Sequence, residues 1–139
     1  MQADAWRVVR AEEADFPAFY RVIWQAHVPE WTDLAVAERH ACMDVVAAVE
    51  QVLRSVLAPT KINLASFGNL VPHLHWHVVA RFAWDSHFPQ PVWGVRQRDV
   101  PGGAAARLGC DLDTLDEAVR TALSPFGGGP GGAGSAKNP

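Results

Sequence analysis

The stretch NLVPHLHWHVVARF, from Asn69 to Phe82, decides the fold, because its second half alternates between two kinds of side chain. Successive residues of a β-strand point to opposite faces of the sheet. One face of this predicted strand carries His73, His75, His77, Val79 and Arg81. The other face is entirely apolar and carries Leu74, Trp76, Val78, Ala80 and Phe82. The alternation therefore predicts a strand whose apolar face packs against a helix and whose histidine face meets solvent, a cleft or a ligand.

The flanking segments supply the rest of the predicted fold. From about Val36 to Leu57, apolar residues recur at spacings of three and four, which predicts an amphipathic helix that Pro59 ends. Segments rich in β-branched and aromatic residues predict further strands, the first two as a hairpin: Trp6–Ala11, Ala18–His27 and Lys61–Gly68. A short closing helix is predicted from Asp111 to Leu123. This order of elements predicts an α+β fold with an antiparallel sheet.

The chain is predicted to hold one domain, residues 1–123, followed by a tail. A length of 139 residues suits one domain with a sizeable core. Residues 124–139 are mostly glycine, proline, serine and alanine. Side chains of this kind bury too little apolar surface to offset the entropy of ordering the backbone, so we expect a disordered Gly/Pro-rich tail.

Charge and composition exclude several classes of function. The net charge of −3 provides no basic surface for a nucleic-acid backbone, so no nucleic-acid partner is expected. No apolar run approaches the roughly 20 residues of a membrane span, and the first residues lack the apolar core of a signal peptide. Cys42 and Cys110 are expected to be free thiols in a reducing compartment. We therefore expect a cytoplasmic protein with no membrane partner.

The histidine face has three interpretations. It is a solvated polar surface, a metal site, or a centre of nucleophilic catalysis in which one imidazole attacks and its neighbours position it and move protons. A metal site would recruit a further ligand from His27, His40 or His87. The turn at Gly68 and Asn69 can present backbone N–H groups and an amide to a phosphate oxygen, and Arg81 adds a positive charge. A metal site needs none of these, so the flanking residues favour catalysis.

These residues also resemble a known family. The segment HLHWHVV, His73 to Val79, matches the histidine triad (HIT) motif H-φ-H-φ-H-φ-φ, where φ is apolar, at every position. The longer stretch GNLVPHLHWHVVAR resembles the family's Gly-Gln-x-Val-x-His-x-His-x-His-x-x-Pro-Arg, and RVIWQAHVPEWTDL resembles its earlier strand, which ends in a histidine before the long helix. The resemblance covers about Trp6 to Arg81 and is strongest to small bacterial members related to the Hint and Fhit branches.

The resemblance implies a fold, an assembly and a reaction. It implies an antiparallel sheet of about five strands with one long helix and a short C-terminal helix, and a homodimer whose sheets join into one. It implies hydrolysis or transfer at the α-phosphate of a dinucleoside polyphosphate or nucleoside phosphoramidate, through a nucleotidyl-histidine intermediate. It implies no required cofactor, and it allows a divalent metal bound together with the substrate phosphates. The N-terminal cysteine segment of some relatives is absent here, so no structural zinc is expected.

The resemblance also assigns roles to individual residues. It makes His75 the nucleophile, places His77 beside the phosphate, where it helps the leaving group depart, and has His73 support the nucleophile. It places five residues at the nucleotide or its phosphates: His27, Asn63, Gly68, Asn69 and Arg81. Leu70 departs from the family, in which a serine or threonine commonly contacts phosphate. Two alternatives stay open: a metal-binding module that uses the triad histidines, and a nucleotide-binding protein without catalysis.

Overall fold

A computed structural model describes residues 1–127 of the chain. Its four strands are β1 Trp6–Arg10, β2 Phe19–Trp24, β3 Lys61–Ser66 and β4 His75–Arg81. Its two α-helices are α1 Val36–Leu57 and α2 Leu112–Leu123. Single turns of 3-10 helix are formed by Trp31–Asp33, Ala105–Arg107 and Ser124–Phe126. None of the helices in residues 1–127 has the length and hydropathy needed to cross a membrane.

The strands form one antiparallel sheet in the order β1-β2-β4-β3. The predicted hairpin is confirmed, with Trp6 paired opposite Trp24. The histidine-bearing strand β4 lies inside the sheet, between β2 and β3. The α+β class and the antiparallel sheet are therefore confirmed, although the described residues form four strands where about five were expected. Because β4 is bonded on both sides, its side chains are held on a rigid platform.

The apolar face of β4 packs against α1, as the alternation predicted. Leu74, Val78 and Ala80 belong to the same buried cluster as the apolar stripe of the helix. That stripe consists of Cys42, Val45, Val46, Val49, Val52 and Leu53. Each fully buried valine or leucine contributes about 1.5–3 kcal/mol. The helix occupies the whole predicted range, Val36 to Leu57. The next residue, Ala58, caps it with a left-handed backbone (φ 44°, ψ 54°) and precedes Pro59.

The second helix is tied to the hairpin by one carboxylate. The side chain of Asp116 on α2 accepts two hydrogen bonds from Arg10 Nε and Nη2 and one of 2.6 Å from the Tyr20 hydroxyl. Burial, together with that hydrogen bond to Asp116, raises the pKa of Tyr20, so its hydroxyl stays a donor. The helix begins after Asp111, whose side chain accepts from the backbone N–H of Thr114. These contacts close α2 over the edge of the core.

The two cysteines are free thiols, as expected from the sequence. Cys42 is buried in the core on α1, and Cys110 is half-buried just before α2. Burial raises the pKa of the Cys42 thiol to about 11. This thiol therefore stays protonated near neutral pH and acts as a small apolar side chain.

The predicted tail is ordered in its first residues. Ser124–Phe126 continues directly from α2 as a turn of 3-10 helix, and Phe126 packs against the core. The expected disorder therefore does not hold for residues 124–127. Pro125, near the start of this turn, and the ring of Phe126, which packs against the core, stabilise it. The average composition of residues 124–139 does not reveal these two contributions. The remainder of the predicted tail, residues 128–139, lies outside the described residues.

The far half of the histidine face is covered by protein. Beyond His77, Val79 is buried in a second apolar cluster with Phe16 and Phe19, and Arg81 is 2% exposed. The cover is the segment that follows β4, residues 82–98, which we call the covering loop. The expectation that this face meets solvent, a cleft or a ligand therefore holds only at its histidine end. There the sheet is open to a pocket.

Candidate active site

A pocket of about 890 Å³ lies over the histidine end of the sheet. Four histidines line it: His27, His73, His75 and His77. Gly68 and Asn69 lie at its rim, as the sequence predicted, in the loop between β3 and β4. A volume of this size falls in the range of small-molecule and cofactor pockets. The structure therefore brings six of the eight predicted site residues together.

His75 is held in one tautomer. Its Nδ1 lies 2.7 Å from the backbone carbonyl oxygen of His73. A carbonyl oxygen can only accept, so the hydrogen must reside on Nδ1 of His75. In the neutral ring the other nitrogen, Nε2, then carries an unprotonated lone pair. Because the side chain is half-buried and lines the pocket, this lone pair is available to a bound electrophile.

His73 is fixed from both sides of its ring. Its Nε2 donates a hydrogen bond of 2.6 Å to the carbonyl oxygen of Trp24, and its Nδ1 lies 2.9 Å from Nδ1 of His27. The rings of His27 and His73 are stacked, with centroids 5.2 Å apart. His73 lies two residues before β4 begins. The next residue, Leu74, donates its backbone N–H to the carbonyl oxygen of Val28, and this bond fixes the backbone at His73. The chain of contacts fixes the carbonyl that orients His75.

His77 lies deeper and has no polar partner. Its side chain is only 6% exposed, and neither ring nitrogen forms a hydrogen bond within residues 1–127. Aromatic rings surround it: Phe19 and Trp93, each with its centroid 5.2 Å away, and Phe67 at 6.0 Å. Burial, followed by the charges of His75 and Arg21, lowers the pKa of His77 to about 4. The ring is therefore neutral near pH 7, with one N–H and one lone pair that a ligand can satisfy.

The lowered pKa of His77 predicts a loss of stability in mild acid. In the unfolded chain this histidine binds a proton below its ordinary pKa of 6.5, whereas in the folded chain it does so only below about 4. The unfolded state thus holds the extra proton between these values, and the free energy of unfolding falls by up to about 3 kcal/mol as the pH drops from 6.5 to 4. Urea titrations across this range measure the slope.

Two variants separate His77 from other titrating groups. His77→Gln removes the group and should flatten the fall in stability. His40→Gln, at an exposed position on α1, removes a histidine without burial and should leave the slope as in the parent. A slope unchanged by His77→Gln would show that the pKa of His77 is the same in the folded and unfolded states, against the lowered value expected from its burial.

Arg81 and Asn63, both predicted to bind phosphate, lie outside the pocket. The Arg81 guanidinium forms a two-pronged ion pair with the Asp85 carboxylate, at 2.8 Å from Nε and 3.0 Å from Nη2. Its Nη1 donates to Oδ1 of Asn63 at 2.7 Å, and its Nη2 also donates to the carbonyl oxygen of Gln90. The two side chains are therefore used by the protein itself. Arg81 anchors the covering loop and is not free to hold a phosphate.

Asp85 is the second half of that anchor. Its carboxylate also accepts from the backbone N–H groups of Phe82, His87 and Phe88. Burial alone would raise the pKa of Asp85, but the hydrogen bonds from Arg81 and the backbone outweigh it and hold the pKa below its ordinary value. The carboxylate is therefore charged at neutral pH and organises the start of the covering loop.

The pocket also contains residues that the sequence interpretation did not select. They are Arg7, Arg21, Ile23, Phe67, Val71 and Trp93. Trp93 lies edge-on to Phe67, with ring centroids 4.7 Å apart, and beside His77. Leu70, in the same rim loop as Asn69, is 96% exposed and offers no polar atom. The only sequence signal for the arginines was the alternation of the hairpin, whose buried residues Trp6 and Val8 place Arg7 on the opposite face.

The metal interpretation gains no geometric support. Within the part of the chain that the structure describes, no three histidine, cysteine, aspartate or glutamate side chains are grouped so that they could hold a metal ion. Both ring nitrogens of His73 already have partners, and Nδ1 of His75 is bonded to a carbonyl. Two proposed additional ligands, His40 and His87, do not line the pocket. The arrangement suits a nucleophile better than a ligand set.

Comparisons with known proteins identify similar chains. The family model described as "HIT domain" matches residues 1–84. A histidine triad protein from Bradyrhizobium japonicum is 26% identical, with a TM-score of 0.67 over 91% of this chain and 87% of that one. A histidine triad protein from Marinobacter aquaeolei VT8 has 22% identity, a TM-score of 0.64 and coverages of 91% and 85%.

More distant structures share the fold. A hypothetical histidine triad nucleotide-binding protein from Sulfolobus tokodaii is 12% identical, with a TM-score of 0.59 over 91% of this chain and 83% of that one. None of the curated proteins compared with the chain matches it. The agreement extends over most of each solved chain, so the similarity concerns the whole domain and not the triad segment alone.

Proposed function

The chain belongs to the histidine triad family, and on that premise we propose that it is a nucleotidyl hydrolase or transferase. It attacks the α-phosphate of a dinucleoside polyphosphate or a nucleoside phosphoramidate, with His75 as the nucleophile. One observation carries this proposal: the hydrogen bond from Nδ1 of His75 to the carbonyl oxygen of His73, which leaves Nε2 unprotonated and open to the pocket.

The first step forms a covalent intermediate. The Nε2 lone pair of His75 attacks the α-phosphorus, a P–N bond forms, and the bond from phosphorus to the leaving oxygen or nitrogen breaks, with its electron pair kept by the leaving group. A leaving nitrogen also takes up a proton from solvent and departs as the amine. The ring becomes positively charged, and the bond from Nδ1 to the His73 carbonyl stabilises that charge. A covalent intermediate divides one difficult displacement into two easier ones.

The second step releases the nucleotide. Water attacks the phosphorus, the P–N bond breaks, and His75 regains its lone pair; an alcohol or phosphate in place of water gives transfer. His77 has an unpaired ring nitrogen in the pocket that accepts the proton of the attacking group. In this mechanism Gly68 and Asn69 hold phosphate oxygens through backbone N–H and amide groups, and His27 supports His73.

The proposal includes the assembly and the cofactor requirement. We propose a homodimer whose sheets join, since the outer edge of β3 has no strand beside it within residues 1–127. The chemistry requires no cofactor, because the imidazole is itself the nucleophile. A divalent metal bound together with the substrate phosphates is compatible with this arrangement and would neutralise their charge.

Trapping the intermediate tests the function directly. The protein is mixed with diadenosine tetraphosphate or adenosine 5′-phosphoramidate, stopped in alkali and analysed by mass spectrometry. We expect an acid-labile adenylyl group on His75 in the parent, also in the presence of a chelator, and none in His75→Ala. Nucleotide binding without adduct or product would instead establish the non-catalytic alternative, which the apolar, exposed Leu70 favours.

A further inference from the structure

Two arginines lie on the same face of the sheet as the reactive histidines. In the strand register, Arg21 on β2 is directly opposite His77 on β4. Arg7 on β1 is opposite Ile23, which in turn is opposite His75. Residues opposite each other in an antiparallel pair share a face, so these side chains emerge on one surface. Both arginines line the pocket.

The pocket is locally positive in a chain that is negative overall. The net charge of the chain is −3, yet the described residues that line the pocket include two arginines and no carboxylate. Charges of one sign in a concave site raise the local concentration of oppositely charged ligands. The distribution therefore points to an anionic ligand.

The two guanidinium groups are available to such a ligand. Within residues 1–127, Arg7 forms no hydrogen bond or ion pair that satisfies ordinary distance criteria, and its side chain is exposed. The guanidinium carbon of Arg21 is 5.3 Å from the centroid of the Phe19 ring, and the side chain pairs loosely, at 3.8 Å, with the half-exposed carboxylate of Glu13. A surface pair of this kind contributes little and exchanges readily for a stronger partner. The charge of Arg21 already reaches the reacting centre, since it contributes to the lowered pKa of His77.

We propose that Arg7 and Arg21 form a subsite for a second phosphate, carried by the leaving part of the substrate. The inference rests on the proposed function, in which the reacting phosphate lies over His75. Neighbouring strands are about 4.8 Å apart, so Arg21 lies one strand and Arg7 two strands from β4. The arginines thus reach groups that lie beyond the reacting phosphate.

This subsite matches the chemistry of the leaving group. When the P–O bond to a polyphosphate breaks, the oxygen keeps the electron pair and the new negative charge spreads over the departing phosphate. Arginines that contact it stabilise that charge as it develops. A phosphate leaves without needing a proton, which suits the neutral His77. An uncharged amine would need a proton and would gain nothing from the arginines.

Two substrates and three variants test the subsite. Diadenosine tetraphosphate has phosphates in its leaving group, whereas the p-nitrophenyl ester of AMP has none. We expect Arg7→Gln and Arg21→Gln each to lower the ratio of kcat/KM for tetraphosphate over ester by roughly 10-fold, the loss of one charge-assisted contact. Arg54→Gln removes an equal charge from the exposed side of α1 and should leave the ratio as in the parent. An unchanged ratio in both pocket variants would overturn the proposal.

Binding of inorganic tripolyphosphate separates this inference from the proposed reaction. Calorimetry should show roughly 10-fold weaker binding in Arg7→Gln and Arg21→Gln than in the parent and in Arg54→Gln. If the parent turns over neither substrate, the reaction is wrong, and weaker tripolyphosphate binding in the two variants still supports the subsite. If the parent turns over both substrates and the variants bind tripolyphosphate as tightly as the parent, the subsite is wrong while the reaction stands.

Discussion

Replacement of His75 by alanine is expected to reduce turnover by about 10⁴- to 10⁶-fold, the range measured when other enzymes lose their nucleophile. His73 is bonded at both ring nitrogens, so it offers no free lone pair in place of that of His75. Folding should be retained, because the His75 side chain is only half-buried and its single hydrogen bond is to a local carbonyl. Initial rates with diadenosine tetraphosphate, together with thermal melts, measure both effects.

A histidine outside the pocket provides the control for this experiment. His40→Ala removes an exposed imidazole from α1 and should leave both the rate and the melting temperature near those of the parent. Nucleotide binding by His75→Ala, measured by calorimetry, should persist, since Gly68, Asn69 and the arginines remain. A rate for His75→Ala within a few-fold of the parent would exclude this residue as the nucleophile.

The second large effect is on stability: Asp85→Ala is expected to lower the free energy of unfolding by about 3–5 kcal/mol. The substitution leaves the Arg81 guanidinium buried at 2% exposure without its carboxylate, and it removes the acceptor of three backbone N–H groups. The covering loop would lose the anchor that Arg81 and Asp85 form at its start. Urea unfolding at pH 7 measures the loss.

An exposed ion pair on α1 gives the matched comparison. Glu50 lies 3.8 Å from Arg54 at the same i,i+4 spacing, with the arginine side chain 70% exposed. Glu50→Ala should change the free energy of unfolding by no more than about 0.5 kcal/mol. The contribution of Asp85 should shrink as the pH falls through its lowered folded-state pKa, because protonation removes the charge that pairs with Arg81. Equal losses in the two variants would mean that burial adds nothing to the Arg81–Asp85 pair.

The sequence was sufficient where periodicity decides the structure. The alternation from His73 to Phe82 placed β4 and its apolar face correctly. A shift of one residue would bury the histidines in the core and expose the apolar side chains to solvent, which costs free energy, so the pattern permits only one orientation of the strand. The apolar stripe of α1 gave that helix its full length, and Pro59 gave its end. These signals are local, so one sequence contains them.

The sequence was insufficient where a distant segment covers a face. Alternation assigned Arg81 to the histidine face but did not reveal that the chain returns over it, so a buried anchor was interpreted as a phosphate ligand. The partner was only four residues away, at Asp85, a spacing that in a helix would have indicated an ion pair. After a strand, two residues four positions apart can pair only if the chain turns back on itself, and hydrophobic periodicity does not predict such a turn. Asn63 was misplaced for the same reason, since its amide oxygen accepts from Arg81.

The residues that form the pocket walls could not be predicted from the sequence for a different reason. Arg7, Arg21 and Trp93 come from three separate segments, and only the strand register and the path of the covering loop bring them beside the histidines. A motif identifies the residues that lie within it. It does not identify side chains that enter the same pocket from other parts of the chain.

The position of β4 between β2 and β3 has a consequence for how the protein is made. The β1–β2 hairpin joins residues near in sequence, but the pairing of Ile23 with His75 closes a loop of more than fifty residues that includes all of α1. Such non-local pairing carries a large loop-closure entropy and forms slowly. The pocket lies where these two parts of the chain meet, with Arg7 and Arg21 on the early half and His75 on the late half. A nascent chain that has not reached β4 lacks the proposed nucleophile, so the proposed activity requires that the two halves have joined.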